Sequence, residues 1–308
     1  GELCRYLLNQ PPHPKERAHK IRTGFGNGLR AEVWAEFQER FNIHHLCEFY
    51  GSTEGNVSFL NFDGKIGAVG RIPGWLEKQF AHIAFVKFDI ETEEPVRGPD
   101  GFCLRTDIDE AGEALGRIGE DIRNRFEGYN DEQATKKKIL RDVFEEGDMW
   151  FRTGDLMRKD KDGYIYFVDR IGDTFRWKGE NVSTNEVGEA LSGIPGVATA
   201  NVYGIPLPGY DGKAGMAAIT MDADVDFEGM YAALSQKLPS YAIPIFIRVQ
   251  RDAETTGTFK YRKVELVKEA FDIDEVTDPI WMYHPERKEY VPFTQDRYDS
   301  LRSGAFKF

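Results

Sequence analysis

Residues 155–186 read DLMRKDKDGYIYFVDRIGDTFRWKGENVSTNE and combine a strand-like run, a polar segment with glycines and the start of a helix. Residues 164–168 are β-branched or aromatic and follow an Asp-Gly turn signal, which predicts a β-strand. The alternation ends after this strand, where Gly172 gives the backbone a residue that can change φ freely. We therefore predict a pivot between two domains at residues 172–173.

A new helix is predicted shortly after this pivot. Ser183, with Glu186 three positions later, fits a capping box, in which the hydroxyl and the carboxylate each bind an amide of the first helical turn. Gly179 lets a ligand approach the backbone closely, and cations lie on either side of the pivot in an otherwise acidic chain. These cations are Arg170, Arg176 and Lys178. The segment predicts a nucleotide-binding hinge, and the alternative is a solvated loop between domains.

Length and composition indicate a soluble protein of two domains. The chain has 308 residues, 41% of them hydrophobic, which is enough to bury a large core. It contains no run of ~18 apolar residues, as a membrane helix needs, and no signal-peptide pattern at its start. Its three cysteines are widely spaced, which predicts a reducing compartment without a disulfide framework or zinc site. A formal charge of −12 argues against nucleic-acid binding, so a polyphosphate ligand needs local cations.

The first 60 residues predict part of an α/β sheet. Val33, Phe37 and Phe41 recur every fourth residue, with Trp34 beside them, which predicts a helix with one apolar face in the core. Residues 46–50 then read as a buried strand. A helix followed by a strand is typical of α/β folds.

Two turns in this region are candidate ligand contacts. Gly26-Asn27-Gly28 presents bare backbone that can lie flat against a planar ring, and a simple turn is the alternative. Residues 51–55, GSTEG, form a turn of small hydroxylic residues with a carboxylate. Both turns follow strand-like segments.

The rest of the chain predicts a β-rich region and a small α+β domain. Residues 64–151 contain glycine-rich turns and short alternating segments, which favour a small barrel or sheet. After the pivot we expect a helix, strands at 200–205, 216–221 and 245–249, and a further amphipathic helix. The apolar face of that further helix consists of Phe227, Met230, Leu234 and Leu238.

Residues 169–184, DRIGDTFRWKGENVST, resemble the signature of the fatty acid transport proteins, the very-long-chain acyl-CoA synthetases of the adenylate-forming (AMP-binding) superfamily. Four more segments resemble motifs of that superfamily and occur in the same order. They are Gly26-Asn27-Gly28-Leu-Arg, Tyr50-Gly-Ser-Thr-Glu54, Phe151-Arg-Thr-Gly-Asp155-Leu and Leu238-Pro-Ser-Tyr-Ala-Ile-Pro244.

The resemblance implies the C-terminal part of an α/β acyl-adenylate synthetase-like fold. Residues 1–80 are expected to be the remainder of an α/β nucleotide-binding subdomain, and residues 81–171 a β-rich subdomain. Residues 172–308 are expected to form a small, mobile α+β lid domain that turns about the pivot. The superfamily has a phosphate loop well upstream of Tyr50, and none precedes it here, so we expect the N-terminal half to be missing.

The resemblance also implies roles for single residues in the first domain. Thr53 would contact the α-phosphate of ATP, and Glu54 would bind Mg²⁺. Tyr50 would stack on adenine, and Asp155 would accept hydrogen bonds from both ribose hydroxyls, as suits an acceptor-only group. Three further contacts with the nucleotide are expected: Gly26, Asn27 and Gly28 along adenine, Gly51 in the same motif as Tyr50, and Arg170 at the ribose.

In the second domain the resemblance implies a tunnel for coenzyme A at Gly179 and a catalytic lysine. The usual motif places this lysine directly after a glycine, whereas Thr258 and Phe259 intervene here. The stretch TGTFK resembles the fatty acid transport variant. We therefore assign Lys260, with Lys263 as the competitor.

The implied activity is that of an ATP-dependent long- or very-long-chain fatty acid–CoA ligase, with fatty acid, ATP and CoA as partners and Mg²⁺ as cofactor. The present chain alone is expected to be inactive. The implied location is the cytoplasm, with peripheral association of the full-length protein at the inner face of the membrane. The alternatives are a fatty-acid uptake or carrier protein and an adenylating enzyme that uses an acceptor other than CoA.

Overall fold

The structure is a computed structural model that describes residues 1–51, 55–119, 136, 138–251 and 263–308. These residues form two compact units, Gly1–Ile171 and Gly172–Phe308. Each unit has its own hydrophobic core. The architecture is mixed α/β, as the sequence predicts.

The first unit begins with a three-stranded sheet and two helices. Strand β1 lies parallel to β2, which pairs antiparallel with β3. The predicted amphipathic helix is confirmed, and its Trp34 and Phe37 are buried against the sheet's apolar residues. Asn42 ends the helix in the left-handed conformation that asparagine tolerates. The elements are α1 (Glu2–Leu8), β1 (Thr23–Gly26), α2 (Ala31–Phe41), β2 (His45–Gly51) and β3 (Ser58–Asn61).

The β-rich part of the first unit is a seven-stranded antiparallel sheet, so the sheet alternative of the sequence prediction holds here. The strand order is β4-β10-β9-β7-β5-β6, and β8 also pairs with β9. A short 3₁₀ helix, Gly74–Phe80, follows the first strand. The strands are β4 (Gly70–Arg71), β5 (Ile83–Asp89), β6 (Glu94–Pro95), β7 (Gly112–Arg117), β8 (Ile139–Arg141), β9 (Met149–Lys159) and β10 (Tyr164–Arg170).

The predicted strand at residues 164–168 is longer than expected, because β10 continues to Arg170. A β-bulge between Phe167 and Asp169 interrupts the register with β9. A bulge adds one residue to one strand, so it breaks the alternation of side chains without ending the pairing. The loss of pattern after Val168 therefore marks a bulge within the strand.

The second unit packs helices around a five-stranded sheet of order β13-β14-β15-β16-β17, in which only β14 and β15 pair in parallel. One of the two hydrogen bonds of the predicted capping box is confirmed: Ser183 Oγ accepts from the Glu186 N–H at 3.2 Å. The strands are β11 (Phe175–Trp177), β12 (Glu180–Val182), β13 (Val197–Ile205), β14 (Ala214–Met221), β15 (Phe246–Val249), β16 (Ile280–His284) and β17 (Glu289–Pro292). The helices are α3 (Thr184–Ser192), α4 (Phe227–Leu234), α5 (Val264–Glu269) and α6 (Gln295–Arg302).

The amphipathic helix predicted to carry Phe227, Met230, Leu234 and Leu238 on one face is one turn shorter than expected. Helix α4 ends at Leu234, and Leu238 is buried in the turn that follows. Pro239 disfavours helical backbone at the residue before it, so the helix cannot continue through Leu238. Across the described ranges, the longest helix has 11 residues, and none is long and apolar enough to cross a membrane.

Candidate functional site

Two predicted ligand residues of the first unit are in direct contact. The hydroxyl of Tyr50 donates a hydrogen bond of 2.5 Å to Oδ2 of Asp155. Tyr50 lies near the end of β2, and Asp155 lies in the middle of β9, so the contact joins the two sheets of this unit. The Tyr50 ring packs at a tilt against Phe59, with the ring centroids 5.7 Å apart.

Arg170 joins this pair at the end of β10. Because of the bulge after Phe167, Arg170 stands opposite Asp155 in the strand register. Its Nε lies 3.8 Å from Oδ1 of Asp155, and its side chain is 55% exposed whereas that of Asp155 is 16% exposed. A mostly exposed guanidinium beside a mostly covered carboxylate leaves the cation accessible to a polar ligand.

The backbone around Asp155 is held by its neighbours in β9. Thr153 Oγ1 accepts from the Asp155 N–H at 3.1 Å and donates to the carbonyl oxygen of Ala114 at 2.8 Å. Gly154 has a φ of +77° and accepts from the Ile171 N–H at 3.0 Å. Glycine adopts this left-handed backbone without steric cost, so the Thr-Gly-Asp sequence shapes the strand locally.

The predicted adenine-lining segment lies at the carboxyl end of β1. Gly26 pairs with Glu48 of the parallel strand β2, two residues before Tyr50. Parallel strands bring their carboxyl ends to the same sheet edge, so this segment and Tyr50 lie at one edge. Gly28 continues the segment with a φ of +70°. Gly51, the last residue of β2, is exposed beside it.

Glu48 is a residue of this site that the sequence analysis missed. Its side chain is buried, and its Oε1 accepts from the Leu29 N–H at 3.0 Å, which ties the segment after Gly28 to strand β2. The available signal was a single carboxylate inside the apolar strand LCEFYG. A buried carboxylate needs hydrogen bonds, and here the backbone of the glycine segment supplies one of them.

Burial changes the acidity of two groups at the site. It raises the pKa of the Tyr50 hydroxyl well above its usual range, and the neighbouring Asp155 charge raises it further. The hydroxyl therefore stays protonated and acts as a donor to the carboxylate. Burial also raises the pKa of Glu48 to about 7, against the opposing hydrogen bond from Leu29.

The second unit places Gly179 in a tight hairpin turn between β11 and β12. Lys178 and Gly179 have φ values of +52° and +86°, which is the geometry of a type I′ turn. The Gly179 carbonyl accepts from Nε of Arg176 at 3.0 Å. Apart from Gly179 and its chain neighbours Lys178 and Glu180, no heavy atom of the described residues lies within 4 Å of the position that a Gly179 Cβ would take, so one side of the turn is open.

Three predicted site residues, Thr53, Glu54 and Lys260, lie outside the described residues. The phosphate contact, the Mg²⁺ ligand and the catalytic lysine therefore remain predictions from the sequence. In the described part of the chain, no group of three or more His, Cys, Asp or Glu side chains can hold a metal ion. The described geometry thus bears on the nucleoside end of the expected ligand.

Solved structures define the class of this fold. The chain matches ATP-bound MatB from Rhodopseudomonas palustris with a TM-score of 0.67 and 24% identity, covering 88% of this chain and 50% of that one. It also matches o-succinylbenzoate CoA synthetase (MenE) from Bacillus subtilis in complex with the acyl-adenylate intermediate OSB-AMP. That match has a TM-score of 0.61 and 22% identity over 84% of this chain and 48% of the other. The described residues therefore have the fold of the C-terminal part of these proteins, as the sequence predicts.

Sequence relatives identify the family within this class. Residues 186–260 match the AMP-binding enzyme C-terminal domain. The chain is 45% identical to long-chain fatty acid transport protein 2 of Rattus norvegicus over 98% of this chain and 48% of the relative. It is 44% identical to long-chain fatty acid transport protein 6 of Mus musculus over 100% of this chain and 50% of the relative. The chain belongs to the long-chain fatty acid transport protein family and spans about half the length of these relatives.

Proposed function

We propose that this chain is the C-terminal half of an ATP-dependent long- or very-long-chain fatty acid–CoA ligase. The observation that carries the proposal is the contact of Tyr50 with Asp155, with Arg170 beside them, at the edge where the Gly26–Gly28 segment ends. These are the residues that the sequence assigns to adenine and ribose. The fatty acid transport relatives support a fatty acid as the carboxylate substrate.

The nucleoside contacts follow from the chemistry of these side chains. Asp155 accepts hydrogen bonds from the two ribose hydroxyls, while Tyr50 orients its carboxylate and Thr153 holds its backbone. Arg170, exposed beside the carboxylate, donates to the ribose. The Tyr50 ring stacks on adenine, and the glycine backbone of residues 26–28 lies along the base.

The fatty acid carboxylate must first be activated, because hydroxide is a poor leaving group that a thiol does not displace. Transfer of the carboxylate to AMP supplies a good leaving group. Attack of the fatty acid carboxylate on the α-phosphorus of ATP releases pyrophosphate and forms an acyl-adenylate. Thr53 and Lys260 donate to the phosphate oxygens on which negative charge develops. Glu54 would hold Mg²⁺, which would supply positive charge to neutralise the polyphosphate.

The second half-reaction transfers the acyl group to the thiol of CoA and releases AMP. We assign the access path of CoA to the open side of the Gly179 turn. The second unit turns about residues 172–173 between the two steps, which removes Lys260 from the chemistry after adenylation. A single pivot thus serves two reactions at one nucleotide site.

The test is ATP–pyrophosphate exchange in a protein in which the upstream half is present. Exchange that depends on added fatty acid is expected there, and none is expected from the present chain alone. Acyl chains of graded length and a product assay for acyl-CoA then define the substrate and the acceptor. A folded full-length protein that binds ATP but supports no exchange with any fatty acid rules out the proposal. Exchange without acyl-CoA formation indicates another acceptor.

A further inference from the structure

Lys263 is held in place by two side chains from other segments of the second unit. Its Nζ lies 2.9 Å from Oδ2 of Asp173 and donates a hydrogen bond of 3.0 Å to Oγ1 of Thr184. Lys263 is also the N-cap residue of helix α5, and its carbonyl oxygen accepts from the Val267 N–H at 2.9 Å. Both its backbone and its ammonium group therefore make contacts inside this unit.

The two partners lie where segments of the unit begin. Asp173 follows Gly172, the first residue of the second unit, in the turn between β10 and β11. Thr184 is the first residue of helix α3 and is only 4% exposed. One ammonium group thus joins the turn at the pivot to the starts of two helices.

The pivot turn has little packing of its own at Gly172. Within the described ranges, no heavy atom lies within 4 Å of the position that a Cβ of Gly172 would take, apart from those of Gly172 itself and of its chain neighbours Ile171 and Asp173. The ion pair itself is partly covered, since the side chains of Lys263 and Asp173 are 23% and 33% exposed. A pair of this exposure contributes little to overall stability, but it restricts the orientation of the Asp173 side chain.

From these contacts we infer that Lys263 is a positioning residue, which fixes Asp173 at the pivot and thereby sets the ratio of the two half-reactions. This inference rests on the proposed ligase function. The competing role, stabilisation of charge on the α-phosphate, would require the Lys263 ammonium to leave both a carboxylate and a hydroxyl. Its two contacts favour the positioning role.

The kinetic test uses the full-length enzyme with Lys263→Ala, Asp173→Asn and the double variant. Adenylate formation is followed by ATP–pyrophosphate exchange, and thioester formation by acyl-CoA release from supplied acyl-adenylate. Each single variant should change the ratio of the two rates by about two- to fivefold in the same direction, as expected for one partly exposed ion pair. The double variant should change it no further, because both substitutions remove the same interaction.

A second readout does not depend on activity. Hydrogen exchange of the backbone amides at residues 172–174 should be about two- to fivefold faster in Lys263→Ala than in the wild type. Lys268→Ala is the matched control, since it removes the same charge from the exposed side of the same helix. The reversed pair, Lys263→Asp with Asp173→Lys, should restore the wild-type rates of amide hydrogen exchange and the wild-type ratio of the two half-reactions.

Three outcomes overturn the inference. The first is a loss of adenylation of about a hundredfold or more in Lys263→Ala with normal Asp173→Asn, as expected for a charge-stabilising donor. The second is a lower unfolding midpoint with an unchanged ratio. The third is an unchanged rate of amide hydrogen exchange at residues 172–174 in Lys263→Ala. A wild-type enzyme that forms no adenylate contradicts the proposed function instead. The rates of amide hydrogen exchange then still decide whether Lys263 orders the pivot.

Discussion

The Tyr50 hydroxyl donates a hydrogen bond to Oδ2 of Asp155 at 2.5 Å, across 105 positions of the sequence. Both residues were assigned to the nucleoside of ATP from separate motifs, one at the end of a strand of the three-stranded sheet and one inside the antiparallel sheet. Because the hydroxyl is a donor to the carboxylate, it restricts the directions in which Asp155 can accept further hydrogen bonds. The contact brings the two motifs together in the first unit.

Substitution of Tyr50 separates the ring from the hydroxyl. Tyr50→Phe keeps the ring that would stack on adenine and removes the donor to Asp155, so ATP binding should weaken by about 1 kcal/mol. Tyr50→Ala also removes the stacking, which is worth about 1–3 kcal/mol for a base on an aromatic ring, so its effect should be larger. Calorimetric titration of the full-length enzyme with ATP measures both. Equal effects of the two variants would show that the ring does not touch the base.

Asp155→Ala tests the ribose assignment. The substitution removes the acceptor of two ribose bonds and should weaken ATP binding by about 1.5–3 kcal/mol per charged hydrogen bond lost. Asp162→Ala is the control, because Asp162 is an exposed carboxylate in the turn before β10. Binding of 2′-deoxy-ATP should lose less than ATP in the variant. Unchanged ATP affinity in Asp155→Ala would place the ribose elsewhere.

Glu48 gives the first unit a pH dependence whose sign can be worked out. Its pKa rises in the fold from about 4.5 to about 7, because burial disfavours the charged form, while hydrogen bonds from the backbone of Leu29 and Gly28 oppose the shift. Because the pKa of Glu48 is higher in the folded state, the protonated carboxyl stabilises the fold. This contribution to the free energy of unfolding is fully present below the unfolded pKa of about 4.5, and it is lost as the pH rises to about 7. The contribution amounts to about 3 kcal/mol.

The measurement is urea-induced unfolding of this chain between pH 5 and pH 8. Glu48→Gln keeps an acceptor for the Leu29 N–H without the charge, so its unfolding free energy should vary less with pH than that of the wild type. The difference between the two proteins isolates Glu48 from other groups, including the nearby Cys4 thiol, whose pKa burial also raises. Parallel pH curves for wild type and variant contradict the assignment.

Gly179 can be tested for obstruction apart from backbone strain. Gly179→Leu should slow thioester formation from supplied acyl-adenylate, because the side chain projects from the open side of the turn. A φ of +86° is unfavourable for any residue with a Cβ, by roughly 1–2 kcal/mol, so Gly179→Ala shares the strain but adds little bulk. Thioester formation should fall much further in the leucine variant, while adenylation is nearly unchanged in both. Equal losses in the two variants attribute the effect to strain.

The sequence predicted several elements and proposed the candidate site residues because their signals are local. The helix at residues 31–41, the cap at Ser183 and the strands β13, β14 and β15 follow from spacing and residue type. The short motifs carried the assignments of Tyr50 and Asp155 in the same way. Their hydrogen bond was not predictable, because it depends on how two distant strands meet.

Other features escaped the sequence analysis for a physical reason. The bulge after Phe167 was taken for the end of a strand, since an extra residue removes alternation just as a loop does. Glu48 was overlooked because its partner is the backbone N–H of Leu29, which lies 19 positions away in the turn after β1. Side chains that hold backbone over long range have no periodic pattern to reveal them.

Lys260→Ala separates the two half-reactions. A lysine that reaches the α-phosphate from the second unit acts only in the adenylating arrangement, so its removal should slow adenylate formation by on the order of a hundredfold or more. Thioester formation from supplied acyl-adenylate plus CoA should be nearly unaffected, because under the proposed turn of the second unit Lys260 takes no part in that step. Both half-reactions are measured in the full-length enzyme, with Lys263→Ala as the comparison. If Lys263→Ala alone abolishes adenylation, the inserted Thr258-Phe259 has shifted the catalytic lysine, and the assignment of Lys260 is wrong.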